Sequence, residues 1–284
     1  MRRFLVAESE TPDERAARRA HTGQSSGETY ADTLRQLDAG ATIEICQPAD
    51  VDAPVFTPDG LARYDAVFLT GSPLHVYDDT PEVRRQLAFM RAVFASGTPS
   101  FGSCAGLQVA IVAAGGSVRK MPQRMEAGFS RRIVATEAGR AHPLLAGRPA
   151  TWDAPAVHGD EVETLPDGAT LLAGNNVTRV QAVEIRHDKG VFWGVQYHPE
   201  LSLGEIAIAL RRQADGLIEA GLAEKEEEVA ERADVIEALH HAPERRSLRW
   251  RLGVDGELAD VDGRRREIVN FLASLPTIDR RGAR

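Results

Sequence analysis

The chain has 284 residues, 43% of them hydrophobic and 27% charged, with 25 Gly and 15 Pro. That length holds about two average domains, or one large α/β domain with an appendage, and it buries a core without help from disulfides or a structural metal. Forty-two acidic residues against 34 basic ones give a net charge of -8, which argues against nucleic acid as the main ligand, because phosphate binding calls for clustered Lys and Arg in excess.

In chain order, Phe4 to Glu8 reads as a strand. A polar, Arg-rich stretch from Ser9 to about Gly27 follows, longer than the usual βα loop. Thr29 to Ala39 has helical composition and stops at Gly40. Thr42-Ile43-Glu44-Ile45-Cys46 alternates like a strand, with Cys46 expected as a small buried thiol. The apolar run Ala66 to Leu69 suits a sheet covered on both faces. Thr80-Pro81 starts a helix whose apolar Val83, Leu87, Met90 and Phe94 share one face, and Gly97 ends it. Pro99-Ser100-Phe101 forms a short strand, and Ala105 to Ala114 is apolar almost all round, as a buried central helix is. Short β runs then dominate, at Arg132 to Val134, Thr170 to Leu172, Gln181 to Ile185 and Val191 to Tyr197. Ser202 to Leu222 is helical and closes the domain.

This alternation predicts an α/β fold with a doubly wound, mostly parallel sheet flanked by helices and an added antiparallel portion. Residues 1–222 form the main domain. Residues 223–284, rich in charge of both signs, form a small helical appendage with apolar stripes at Val229, Ala233 and Ile236 and at Ile268, Phe271, Leu272 and Leu275. No apolar run approaches the ~20 residues of a membrane span, and Met1-Arg2-Arg3-Phe4 leads into a strand rather than a signal peptide. Two cysteines are too few for a disulfide scaffold or a four-Cys zinc site and suit a reducing compartment. We expect a cytoplasmic protein with no metal, no cofactor and no membrane partner. The bias of 31 Arg to three Lys reads as genomic base composition.

Cys104 sits between two glycines, after a predicted strand and before a predicted helix. Gly102-x-Cys104-x-Gly106 is the cysteine form of the nucleophile elbow, in which small neighbours permit a sharp turn that lifts the side chain out of the sheet. The helix N-terminus favours a thiolate, and the amide of Ala105 is a natural donor to an oxyanion. The bland alternative is a tight turn around a buried thiol. Of eight histidines, His198 is the one that ends a long apolar run, so it emerges at the carboxyl edge of a strand, where α/β sheets place ligands. Glu200, two residues on, faces the same way in an extended segment and can orient an imidazole. A capping His beside a solvated Glu is the reading without chemistry. His75, after Gly71-Ser72-Pro73, can approach such a site; His21, His240 and His241 read as solvated, and His142 and His187 as turn residues.

These motifs resemble those of class I glutamine amidotransferases, and most nearly the stand-alone kind similar to the amidotransferase domain of GMP synthase. The resemblance rests on Gly102-Ser103-Cys104-Ala105-Gly106-Leu107-Gln108 and on Gly194-Val195-Gln196-Tyr197-His198-Pro199-Glu200. Thr70-Gly71-Ser72-Pro73 and His158-Gly159-Asp160-Glu161-Val162 add to it in the matching order. It covers roughly residues 40–200, more loosely 1–220. It implies Cys104 as nucleophile, His198 as general base, Glu200 as its orienting acid and Gln108 as a contact to glutamine. It also implies that backbone groups around Gly71-Ser72, Ala105 and Val157-His158-Gly159 hold the oxyanion and the substrate's α-groups. One departure is Ser72, where the family often has a second Gly; this restricts the peptide that must turn toward the oxyanion. A packing role for the His158 ring competes with a catalytic one.

The activity implied is hydrolysis of the glutamine side-chain amide through a Cys thioester, releasing glutamate, with ammonia passing to a synthetase. The tail is too short for a nucleotide-activating domain and has no Gly-rich phosphate loop, so that synthetase would be a separate chain. Two alternatives stand beside this reading. One is a stand-alone hydrolase of other γ-glutamyl amides or peptides, for which Arg15, Arg18 and Arg19 of the early loop could line a pocket for an anionic substrate; a solvated loop is the bland and favoured alternative for that stretch. The other is a non-catalytic relative that binds a partner.

Overall fold

The computed structural model describes residues 1–122 and 125–281. Strand β1 (Arg3–Ala7) sends Phe4 and Val6 to one face of the sheet and Leu5 and Ala7 to the other, the two-residue period of a strand buried on both sides. The stretch after it is not the loop expected from Ser9 to Gly27. It is α1 (Pro12–Thr22), opened by a capping box between Thr11 and Glu14 and closed by Gly23 at φ 79°. Its polarity hid a helix that is specified at its two ends rather than along its face. A second capping box, Ser25 with Glu28, starts α2 (Ser26–Leu37) three residues earlier than expected. Next come β2 (Thr42–Cys46), the single turn α3 (Pro58–Leu61) and β3 (Ala66–Leu69). Helix α4 (Pro81–Ser96) has Thr80 as its N-cap and Gly97 as its left-handed stop. Strand β4 (Ser100–Ser103) then runs into α5 (Ala105–Ala113), which is buried nearly all round.

Short elements follow: β5 (Ser117–Lys120), β6 (Glu126–Ala135), the turn α6 (Glu137–Arg140), β7 (Thr151–His158), β8 (Asp160–Thr164), β9 (Ala169–Gly174), β10 (Ala182–His187) and β11 (Gly190–Val195). The rest is helical: α7 (Leu203–Arg212), α8 (Ala214–Glu219), α9 (Glu226–His241), α10 (Arg246–Leu252), α11 (Gly256–Ala259), α12 (Val261–Arg264) and α13 (Arg266–Arg281).

Nine strands form one sheet in the order β2-β1-β3-β4-β11-β10-β9-β6-β7. From β2 to β11 neighbours are parallel, and from β11 onward they are antiparallel. This is the doubly wound α/β sheet with its antiparallel addition. Strands β5 and β8 make a separate antiparallel pair. One face of the parallel half is covered by α4 and α5, with Leu107, Met90 and Phe94 fully buried. On the opposite face, Tyr30 and Leu34 of α2 meet Phe4, Phe68 and Phe101.

Helix α13 completes that second face. Phe271 lies 5.5 Å from the rings of Phe68 and Phe101 and 5.7 Å from Trp193, touching β3, β4 and β11 at once. Glu267, also on α13, is fully buried. It takes two 2.6 Å bonds from Arg148 and one of 2.8 Å from the Tyr197 hydroxyl. A buried carboxylate is tolerated only when so neutralised and bonded. The segment after Leu222 is helical, as expected, but a division there does not separate two cores, because its last helix belongs to the core of the sheet. Residues 282–284 of the expected appendage lie outside the described residues. Helices α7 to α11 build a third cluster over β6, around Phe129, Ile206, Leu210, Ile236 and Leu239.

Among the described residues no helix is long and apolar enough to cross a membrane. Nor does any group of three or more His, Cys, Asp or Glu among them have an arrangement that would hold a metal ion.

Candidate active site

The carboxyl ends of β3, β4 and β11 lie side by side, and each delivers one part of the site. Cys104, between β4 and α5, has φ 53° and ψ -113°, a conformation that L residues avoid and that costs about 1–3 kcal/mol. Its surroundings hold it there. The Cys104 amide donates to Val195 of β11 at 2.9 Å, and its carbonyl accepts from the Gln108 amide at 3.1 Å. Glycine at 106 allows α5 to press on β3: a Cβ there would stand 2.5 Å from the Leu69 carbonyl oxygen. The turn is thus the elbow expected from the sequence. Cys46, by contrast, is a core thiol whose ionisation burial opposes, followed by the charge of Glu8.

His198 arrives just past β11, its amide anchored to the Pro155 carbonyl at 2.8 Å. Its Nδ1 is 2.7 Å from Oε1 of Glu200, with both residues buried. Burial disfavours the imidazolium, but the charge of Glu200, then that of Cys104, and hydrogen bonds to both outweigh it, raising the His198 pKa to about 10. The third strand end contributes Gly71. A Cβ at this position would fall 2.8 Å from His198 Cε1 and 3.6 Å from Cys104 Cβ. The peptide of Gly71 therefore borders both groups. Ser72, the departure from Gly-Gly, turns its hydroxyl to accept from the Leu74 amide at 3.2 Å. The amide of Ala105 opens α5, where helix N–H groups lack intrahelical acceptors and suit a developing oxyanion.

Gln108, one turn into α5, is buried. Its amide nitrogen donates to the Asp160 carbonyl at 3.3 Å and to Gln196 Oε1 at 3.2 Å. His158 is near but turned away. Its Nδ1 bonds the Asp160 carbonyl at 2.9 Å and its Nε2 bonds Glu126 at 3.0 Å. Burial drives the Glu126 carboxyl up, but bonds from His158, Asn175 and Ser130 hold it below the ordinary carboxylate value. The His158 ring thus belongs to a buried polar network, and the backbone of Val157 and His158 pairs with Ala127 and Glu126 of β6. The carbonyl of Gly159 already accepts from the Met121 amide at 2.8 Å.

The arginines of α1 do not line a pocket as the sequence suggested. Arg15 grips Asp50 with bonds of 3.0 and 2.6 Å, Arg18 holds Glu205 at 2.9 Å and Arg19 holds Glu28 at 3.0 Å. Each guanidinium found an internal carboxylate once α1 folded back along α2 and α7. Sequence reasoning placed His75 where it can approach the site but missed its pairing with Asp160, and missed Tyr77 altogether. His75 binds Asp160 through Nδ1 at 2.6 Å, and Tyr77 donates to the other oxygen of Asp160 at 3.1 Å. The signal was partial, since His75 and the His158-Gly159-Asp160 run were both noted but nothing joined them.

Fold and site together define an α/β protein with a buried thiol, an imidazole and a carboxylate gathered where a parallel sheet places ligands. A family model, Glutamine amidotransferase class-I, matches residues 22–213. The chain belongs to the class I glutamine amidotransferase family. It is 38% identical over 239 residues to the Gamma-glutamyl-L-1-hydroxyisopropylamide hydrolase of Pseudomonas sp, covering 82% of this chain and 79% of that one. It is 34% identical over 144 residues to the GMP synthase of Leifsonia xyli, covering 50% of this chain but 27% of that protein. Among solved structures, a glutamine amidotransferase from Thermotoga maritima superimposes with a TM-score of 0.59 at 19% identity, over 88% of this chain and 97% of that one. That likeness is one of fold.

Proposed function

We propose that the protein hydrolyses γ-glutamyl amides through a thioester on Cys104. The observation that carries this reading is the convergence of Cys104, the Glu200-held His198 and the Gly71 peptide at three adjacent strand ends. Cys104 thiolate attacks the γ-carbonyl carbon, and the oxyanion forms toward the amides of Ala105 and of Gly71-Ser72. The imidazolium of His198 gives its proton to the departing nitrogen, the C–N bond breaks, and an amine or ammonia leaves a γ-glutamyl thioester. His198, now neutral, takes a proton from water as its oxygen attacks the thioester. The C–S bond breaks, and glutamate and the Cys104 thiolate result. Glu200 keeps the ring oriented throughout.

A substituted amide is favoured over glutamine itself by extent. The Pseudomonas relative, an amide hydrolase by name, is matched along most of its length, whereas the GMP synthase is matched along about a quarter. The second reading is a glutaminase whose ammonia goes to a synthetase on another chain. It is favoured by the local identity to GMP synthase over half of this chain.

The test is glutamate release from L-glutamine and from a panel of γ-glutamyl alkylamides, by wild type and by Cys104→Ala. The expected result is turnover of alkylamides above glutamine, abolished in Cys104→Ala. Preference for glutamine supports the second reading. Full activity in Cys104→Ala removes the mechanism, and a wild type that hydrolyses none of them leaves the non-catalytic relative.

A further inference from the structure

We propose that Glu267 of α13 is a positioning residue for His198: through the Tyr197 hydroxyl it fixes the exit of β11, and with it the place of the imidazole beside Cys104. This rests on the pairing of His198 with Cys104 in the function proposed above. The chain leaves β11 at Val195, and its backbone then changes neighbours. The amide of Gln196 still bonds the Gln181 carbonyl beside β10, at 2.9 Å, whereas the amide of His198 bonds Pro155 of β7, at 2.8 Å. Strand β7 is the last in the sheet order, so the sheet curls to bring it to this crossing. Tyr197 sits at the change, fully buried, and its hydroxyl donates to Glu267 Oε1 at 2.8 Å.

The same carboxylate ties the other side of the crossing. Arg148, in the segment that leads into β7, gives Glu267 two bonds of 2.6 Å, and its guanidinium lies 5.6 Å from the ring centre of Trp152 on β7. Glu257 takes a further bond from Arg148 at 2.7 Å. Glu267 thus joins the approach of the strand that holds the His198 backbone to the exit of the strand that carries it. Its place in the first turn of α13 favours the ionised carboxylate. A buried ion pair adds little net stability over apolar residues of similar volume, whereas its directed bonds admit one register of β7 against the end of β11. Helix α13 lies outside residues 22–213, which the family model matches, so one half of this tie comes from beyond the matched part of the chain.

Two variants, Tyr197→Phe and the apolar replacement Arg148→Met/Tyr197→Phe/Glu267→Leu, test this against a role in stability alone. Both are expected to fold, with melting midpoints close to that of wild type, because the triple variant leaves no fully buried charge unpaired. In each, kcat for a γ-glutamyl amide is expected to fall about tenfold with KM held within about twofold, the size of a lost bond to a charged group. A second measurement needs no turnover: alkylation of Cys104 by iodoacetamide across pH, followed on the Cys104 peptide by mass spectrometry. A displaced imidazolium favours the thiolate less, so the alkylation midpoint is expected to rise by about one pH unit. An unmoved midpoint in a folded variant overturns the proposal, and so does an unmoved kcat. Where the triple variant does not fold, Tyr197→Phe decides by the same two readouts. A wild type without turnover whose alkylation midpoint still shifts in these variants faults the hydrolase reading instead.

Discussion

At the scale of single residues, the site depends on one imidazole kept charged inside the protein. Burial alone would neutralise His198, yet Glu200 and Cys104 raise its pKa to about 10. The sign of the pH dependence follows. A group raised above its ordinary value stabilises the fold fully below about 6.5 and loses that contribution as pH rises through about 10. Catalysis that needs the imidazolium as acid falls over the same upper window. Glu200→Gln removes the largest favourable influence, so the alkaline limb of kcat is expected to move toward neutrality. A pH–rate profile checks this, and an unmoved limb counts against Glu200 as partner. Cys104, His198 and Glu200 were legible in the sequence because glycine spacing and a strand-end position mark them locally. The His75–Asp160 bond joins residues 85 apart, and a single sequence has no signal for such a pairing.

At the scale of elements, helix α1 shows how much a terminus can specify. Its interior is polar, and Arg15 is its one buried residue. Start and stop are set by Thr11, Pro12, Glu14 and Gly23, and the helix is then tied down by Arg15–Asp50 and Arg18–Glu205. Thr11→Ala removes the cap and is expected to cost about 1 kcal/mol, read from the midpoint of urea unfolding. An unchanged midpoint would mean the ion pairs alone hold α1. Apolar periodicity finds helices that bury a face, as it did for α4, and a continuous apolar run found α5; α1 is found only by reading capping residues. The boundary of α2 slipped for the same reason, since Ser25 and Glu28 precede its apolar positions.

At the scale of the whole molecule, the mostly parallel sheet with its antiparallel addition and the helical end of the chain were implied by the alternation of patterns, whereas the strand order was not. What the sequence left hidden is that the end of the chain returns to the middle. Charge density made the segment after Leu222 look like an appendage, yet Ile268, Phe271, Leu272 and Leu275 complete the core beside Phe68, Phe101 and Trp193. Their stripe was visible; the surface it covers is a tertiary fact. Phe271→Ala is expected to cost ~3–5 kcal/mol, measured by thermal or urea unfolding. A chain ending near Leu222 is expected to be insoluble rather than a smaller active unit, and a folded, active truncation would refute the shared core. The position of α13 also bears on how the protein is born. The aromatic underside of β3, β4 and β11 is covered only in part by Tyr30 and Leu34 of α2 until α13 is added. During synthesis the remaining apolar strip stays open until α13 emerges, the kind of transiently exposed surface on which folding chains aggregate.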